Sequence, residues 1–219
     1  MLISVSLTGG VSDVAQWGED AERVEFEIYK RTFDIIVSLA LLILLSPIFI
    51  LVALAVGLSS QGPIIYRQRR LTKDGRVFVM LKFRSMYRNA ERNVGAVWAQ
   101  QGDPRVTPVG KFLRQTRLDE LPQLINVLKD EMSLIGPRPE RPELAESLAR
   151  ELPFFNQRMT VKAGITGLAQ VQSGYADSME QYEEKLRYDI EYIRHRSMRL
   201  DLKIALQTIK VVITGAGAQ

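Results

Sequence analysis

A chain of 219 residues, 46% hydrophobic and 25% charged, has the size of one domain and the average make-up of a folded protein. Those averages exclude a disordered chain, a collagen-like repeat and a polytopic membrane protein. The absence of cysteine excludes a disulfide scaffold, an iron–sulfur cluster and a thiol nucleophile, and a single histidine, His195, excludes a zinc site of several imidazoles. A net charge of +4 names no partner unless it is concentrated somewhere.

In chain order the averages break up. The first 27 residues are acidic (Asp13, Glu19, Asp20, Glu22, Glu25 and Glu27 against Arg23). Residues 1–29 are expected to be a poorly ordered lead. From Ile35 to Tyr66 there is no charged residue, and Ile35–Leu58 is almost purely apolar over 24 residues. A straight helix of that length would reach roughly 36 Å, enough to cross a hydrocarbon core of about 30 Å. Ser46-Pro47 interrupts it. Proline removes a backbone donor and clashes with the preceding turn, so a kink or break is predicted there, and Ser46 can bond a carbonyl freed by it. Basic residues flank both ends (Lys30, Arg31; Arg67, Arg69, Arg70), and basic flanks mark the cytoplasmic side. A helix–break–helix hairpin over 30–60 with both ends on one face fits these features. So does a single kinked spanning helix.

Arg67 to Arg92 carries nine basic and two acidic residues, a net +7 over 26 residues. Such a block suits an anionic membrane surface or a phosphate-bearing ligand, or serves only to hold the flank on one side. Within it, alternation at Val77, Val79, Leu81 and Phe83 predicts a short strand pair turning at Asp74-Gly75. Asn93–Val109 reads as a loop. Lys111–Lys129 has helical periodicity, Gly136-Pro137-Arg138-Pro139 must be a loop, and Arg141–Leu152 reads as a helix. Gly164–Gly174 reads as a glycine-spaced loop, Met179–Arg194 as a helix, and Leu200–Ile213 as an amphipathic helix suited to the core or to a membrane interface. The fold class expected is α+β and mainly helical, with residues 61–219 forming the globular part.

No dinucleotide fingerprint, P-loop, zincin or nucleophile-elbow motif is present. The strongest candidate for chemistry is Leu118-Asp119-Glu120-Leu121-Pro122. Proline is comfortable only in a first helical turn, so the two carboxylates sit near a helix N-terminus. Neighbouring helical residues point about 100° apart, so one can attack while the other holds a hard cation, for which Mg²⁺ is the oxygen-ligand match. The same two acids would also suit a plain helix cap. Arg114, Arg117, Arg138 and Arg141 lie nearby in sequence, and Arg138 is held between two prolines. That stiffness presets a guanidinium for bidentate phosphate contact. His195, at the end of a basic helix, reads as a surface residue.

Taken in order, several motifs resemble the bacterial sugar transferase family, the monotopic phosphoglycosyl transferases that initiate polysaccharide and glycan assembly. They are Lys30-Arg31-x-x-Asp34, Ser46-Pro47, Gly62-Pro63, Gln68-x-Arg70, Lys82-Phe83-Arg84-Ser85-Met86, Leu118–Leu124, Asn126-Val127-Leu128, Met132–Pro139 and Gly164–Val171. The resemblance covers roughly Lys30 to Val212. It implies transfer of a sugar 1-phosphate from a UDP-sugar to undecaprenyl phosphate, with release of UMP and with Mg²⁺ as cofactor. It also implies a ping-pong scheme in which Asp119 attacks the β-phosphorus and Glu120 holds the metal. Lys82, Arg84, Arg114, Pro137, Arg138, Pro139 and Asp189 would line the substrate site. Ser46-Pro47 would be the break of a re-entrant hairpin in a small monotopic domain at the cytoplasmic face of the bacterial inner membrane. Partners would be the UDP-sugar, undecaprenyl phosphate and membrane lipid, with no nucleic acid; a homo-oligomer is compatible with the reading. The sequence departs from the family pattern at Ala163, where proline is usual, and at Gln172-Ser173-Gly174, so the sugar is not fixed. A non-catalytic anchored scaffold and a nucleic-acid binder using Arg67–Arg92 are the competing classes; the second lacks a stacking platform.

Overall fold

The computed structural model describes residues 11–90, 103–173 and 178–214. Its first element, α1 (Val11–Leu44), runs without interruption through the boundary expected near Lys30. The acidic lead from Val11 onward is therefore the start of a long helix, not a separate segment; residues 1–10 lie outside the described residues. Leu45 leaves helical geometry, and α2 (Ser46–Ser59) follows with Pro47 in its first turn. The missing Pro47 N–H would have bonded the carbonyl of Ile43, four residues back. Ser46 Oγ donates to that carbonyl instead, at 2.8 Å. The two helices are bent by 64°. Among the described residues no single helix is long and apolar enough to cross a membrane, but this bent pair reaches that length and composition together. Ile43, Leu44, Leu51 and Leu58 stand exposed along it, while Val52 and Val56 turn inward on Phe83 and Leu113.

The next elements are the antiparallel strands β1 (Ile65–Leu71) and β2 (Val77–Phe83), turning at Asp74 and Gly75, both at positive φ. Glycine accepts that conformation freely, and aspartate more readily than most residues. A period of two places Phe78, Met80 and Lys82 on one face. Phe78 and Met80 pack on Val127 and Met132, so Lys82 emerges at the end of a buried stripe. The outer edge of β2 is closed by a side chain. Asn126, fully buried, accepts from Leu81 N–H at 3.0 Å and donates to the Val79 carbonyl at 2.8 Å.

Lys111–Lys129 is not one helix. The structure divides it into α3 (Pro108–Gln115), a 3₁₀ turn (Leu118–Glu120) and α4 (Gln123–Leu128), separated by Arg117 at φ 58°. The helical spacing of Leu121, Leu124, Ile125 and Leu128 falls on and just before α4, and Pro122 stands at the start of that helix with the two carboxylates ahead of it. Strand β3 (Ser133–Ile135) follows, then α5 (Pro142–Glu151) and a 3₁₀ stretch (Phe155–Thr160). Gly164–Gly174 is likewise not a loop where described. It contains β4 (Gly164–Thr166), parallel to β3, and α6 (Leu168–Gln172). Gly164 is needed for close approach: a Cβ there would stand 2.1 Å from Gly136 N. Glycines that read as loop punctuation here let two backbones cross. Helices α7 (Met179–His195) and α8 (Met198–Thr214) complete the chain, with Tyr192 and Ile204 buried on Ile135 and Leu168. Among the described residues the architecture is α+β and mainly helical, with two small two-stranded sheets. Of the loop expected at Asn93–Val109, residues 93–102 lie outside the described residues, as do Arg92 and Gly174.

Several side chains of α1 bind it to this core, among them Asp34, which accepts from Leu134 N–H at 3.1 Å. Arg31 donates to the carbonyls of Val127 and Leu128 at 2.7 and 3.0 Å, capping α4, and Lys30 pairs with buried Asp201 on α8. Replacing Asn126 by alanine takes the partner from the part-buried Leu81 N–H and Val79 carbonyl and leaves a gap where the buried amide stood. It should cost about 2–4 kcal/mol, read as a lowered thermal midpoint; an unchanged midpoint would show that water replaces the amide.

Candidate active site

The 3₁₀ turn that carries Asp119 and Glu120 is set by its neighbours. Thr107 caps α3 by accepting from Gly110 N–H at 2.9 Å, and Gly110 presses against the backbone of Ser85. Arg117 in left-handed geometry then reverses the chain, and the Glu120 and Leu121 amides bond back to Arg117 and Leu118. Pro122 starts the next run, where its missing N–H costs nothing. Both carboxylates are thereby buried, Asp119 at 7% exposure and Glu120 at 9%.

Their environments differ. Oε1 of Glu120 accepts from Lys82 Nζ and from Arg138 Nη2, each at 2.8 Å. Burial alone would raise the Glu120 carboxyl; the adjacent Arg138 and Lys82 charges hold it well below the usual carboxylate range. Both cations direct their hydrogen bonds to Glu120, and Asp119 feels them only at longer range. Burial pushes Asp119 up to about 6, with Lys82, Arg114 and Arg138 opposing and Glu120 adding to the rise. The pair thus separates into a permanently ionised acid matched by cations and a neighbour whose charge is incompletely matched. Burial also lowers Lys82, with Glu120 opposing, and the Glu120 charge raises Arg138.

Arg138 stands on the Gly136–Pro139 loop, which leaves β3. Four successive carbonyls of this loop each accept a donor from elsewhere. Gly164 N–H meets Pro137, Arg158 Nη2 meets Arg138, Arg70 Nη1 meets Pro139, and Leu71 N–H meets Glu140, at 2.8, 3.0, 3.0 and 2.9 Å. Arg70 is itself fixed by Gln68 Oε1 at 2.7 and 3.0 Å.

The expected site residues therefore divide. Asp119, Glu120, Lys82 and Arg138 are brought together, with Pro137 and Pro139 shaping the loop that presents Arg138. Arg114 lies close enough to act on Asp119 electrostatically while its Nε donates to Ser85 Oγ at 3.0 Å. Arg84 does not line the site. Its guanidinium is buried and donates to the carbonyls of Val56, Ser60 and Pro63, closing the C-terminal end of α2. A helix C-terminus offers unpaired carbonyls and partial negative charge, which outcompete a distant ligand. Asp189 faces Arg158 rather than an open site, with Oδ2 2.7 Å from Arg158 Nη2. Ser46 and Pro47 lie at the bend between α1 and α2. His195 is exposed, its ring meeting the Glu191 carbonyl. Arg158 and Glu140 went unread in the sequence. Arg158 lies in a polar run with no patterned neighbours, and nothing local signals that its head group is buried.

The donors beside Asp119 and Glu120 are hard oxygens, the kind that Mg²⁺ takes. Among the described residues no three His, Cys, Asp or Glu side chains converge as a protein-only metal site. Oε1 of Glu120 is taken by two cations; Oε2 of Glu120 and the Asp119 carboxylate are the hard oxygens left. That fits a cation held by one or two carboxylates that keeps water and takes its other ligands from phosphates.

The sequence pattern of the bacterial sugar transferase family matches residues 25–215. The chain belongs to the bacterial sugar transferase family. It is 42% identical over 221 residues to a UDP-N-acetylgalactosamine-undecaprenyl-phosphate N-acetylgalactosaminephosphotransferase of Aeromonas hydrophila, covering 99% of this chain and 52% of that protein. It is 45% identical over 184 residues to a UDP-glucose:undecaprenyl-phosphate glucose-1-phosphate transferase of Escherichia coli, covering 83% and 39%. A protein of the same description from Caulobacter vibrioides is 39% identical over 199 residues, covering 90% and 74%. The chain thus spans about half or less of the length of the first two of these bacterial sugar transferases.

The raised Asp119 carboxyl sets a stability test. A folded-state value near 6 against 3.8 means that the contribution of this carboxyl to stability is fully present below about pH 4 and is lost as pH rises through 6. Asp119→Asn should therefore stabilise the protein at pH 7.5, by about 3 kcal/mol at most, and change little at pH 4. Thermal midpoints at the two pH values check this; a lowered midpoint at pH 7.5 would mean the charge is fully matched in the fold.

Proposed function

We propose that this chain transfers a sugar 1-phosphate from a UDP-sugar to undecaprenyl phosphate, yielding undecaprenyl-diphosphate-sugar and UMP. One observation carries the reading: beside a Glu120 neutralised by Lys82 and Arg138 lies a buried carboxylate, Asp119, whose charge is under-compensated. A desolvated, poorly matched anion is a reactive nucleophile. Asp119 Oδ attacks the β-phosphorus of the donor; the bond from that phosphorus to the bridging oxygen breaks, and UMP leaves. A phosphosugar–aspartate remains. A phosphate oxygen of the lipid then attacks the same phosphorus, and Asp119 leaves as the carboxylate. Lys82, Arg138 and Arg114 place positive charge where the phosphoryl oxygens gather it. Mg²⁺, held by Glu120 Oε2 and by phosphates, would neutralise charge on the diphosphate. The names of the relatives support both substrates.

The proposal places this chemistry at the cytoplasmic face of the bacterial inner membrane. Exposed Ile36, Ile43, Leu44, Ile50, Leu51, Leu54 and Leu58 on the bent pair, and Leu202, Leu206 and Ile209 on α8, give it apolar surface suited to hydrocarbon and interface. The bent pair would enter and leave on one side, as a re-entrant hairpin, so that the lipid acceptor reacts without extraction from the bilayer.

Incubating the solubilised protein with Mg²⁺, undecaprenyl phosphate and a panel of UDP-sugars should release UMP with at least one donor; silence across the panel, where a known family member turns over, would overturn the reading. Asp119→Asn should stop labelled sugar phosphate from attaching to the protein, whereas label recovered on Glu120 would reverse the roles of the pair. Single cysteines at Ile28 and Arg67, in a chain that has none of its own, should react with an impermeant reagent from the same side of sealed vesicles. Labelling from opposite sides would make the bent pair a crossing.

A further inference from the structure

Proline at 137 and 139 removes two of the three amides around Arg138. Gly136 N–H donates to the Thr166 carbonyl at 2.8 Å; beyond it a loop so short of donors is held largely through its carbonyls, and their donors come from other segments. For the carbonyl of Arg138 itself that donor is Arg158. Arg158 is 7% exposed, and both terminal nitrogens of its head group are engaged by protein groups. Nη2 donates to the Arg138 carbonyl and to Asp189 Oδ2, at 3.0 and 2.7 Å. Nη1 donates to Tyr182 Oη at 2.8 Å and reaches Glu140 Oε1 at 3.4 Å. Its guanidinium carbon lies 5.4 Å from the Phe155 ring centroid and 5.8 Å from that of Tyr182. Burial would lower the Arg158 value, but Tyr182, Asp189 and Glu140 together raise it, so it remains a cation.

With four of its five N–H bonds given to protein groups and aromatic rings beside it, Arg158 is committed to the loop and to its buried neighbours. We infer that Arg158 is a positioning residue: anchored by Asp189, it fixes the backbone of Arg138 and thereby the direction in which the Arg138 guanidinium meets Glu120. The inference rests on the proposed function for its kinetic consequence. Asp189 acts at one further remove, as the counter-charge that sets the angle of Arg158. Lysine cannot substitute, because one ammonium nitrogen cannot serve the Arg138 carbonyl and Asp189 on one side and Tyr182 and Glu140 on the other.

The test is a double-mutant cycle on UMP release with whichever UDP-sugar the wild type accepts. Arg158→Met and Arg158→Lys should each lower kcat/KM for the donor about 10–100-fold, the size of effect that a small misplacement of a binding group produces. Arg138→Lys should lower it at least as much. The double variant Arg158→Met/Arg138→Lys should fall within about twofold of Arg138→Lys alone, since both changes remove one interaction. Losses that multiply in the double variant, or wild-type constants in Arg158→Lys, would overturn the inference. If Arg158→Met does not fold, the cycle is run with Asp189→Asn, which keeps the shape and removes the charge. A structure of Arg158→Lys reads the inference without turnover, so that inactivity of the wild type would count against the proposed function and not against this one. Arg138 Nη2 displaced from Glu120 supports it; Arg138 still 2.8 Å from Glu120 Oε1 refutes it.

Discussion

A single oxygen atom, Oε1 of Glu120, accepts from two part-buried cations that are 38 and 18 residues away in the chain. Taking three charges out of water together is costly unless geometry and hydrogen bonding are good, so the surrounding fold must hold all three positions at once. Strand β2 delivers Lys82 by its two-residue period, the left-handed Arg117 delivers the carboxylates, and the proline loop delivers Arg138. Each arm is rigid for a separate local reason. The result leaves Asp119 in a desolvated position whose potential is set by neighbours already committed to someone else.

The proline loop illustrates how a restriction on one segment becomes a demand on others. With so few amides of its own, it recruits a strand-edge amide from β4, another from β1 and two arginine side chains. Both guanidiniums converge on Glu140, which lies 3.4 Å from Arg158 and 3.9 Å from Arg70. Buried positive charge this dense is tolerated because acids are interleaved with it: Glu120, Glu140 and Asp189.

Much of this was legible in the sequence. Alternation and Asp74-Gly75 located the hairpin, and the uncharged run with Ser46-Pro47 located the bend. The paired acids before Pro122 and the arginine between prolines stand out in the sequence, and the fold brings Glu120 and Arg138 into contact. What stayed illegible depended on where side chains end rather than on what they are. Arg84 sits in a basic block beside Lys82, yet its head group goes to the carbonyls at the end of α2. Glycines at 164 and 167 read as loop because a sequence does not tell flexibility from close backbone approach. Arg158 carried no signal because its partners, Arg138, Glu140, Tyr182 and Asp189, are 18 to 31 residues away.

Helix α4 spans only six residues, about 9 Å. At one end it follows directly from the turn bearing Asp119; at the other its last carbonyls are gripped by Arg31 of α1. The spacing between the apolar arm and the Asp119 turn is thus a covalent length of under two helical turns, with no loop in between. Such a strut works as a gauge block: whatever surface the apolar arm rests on becomes the reference plane from which the depth of the chemistry is measured.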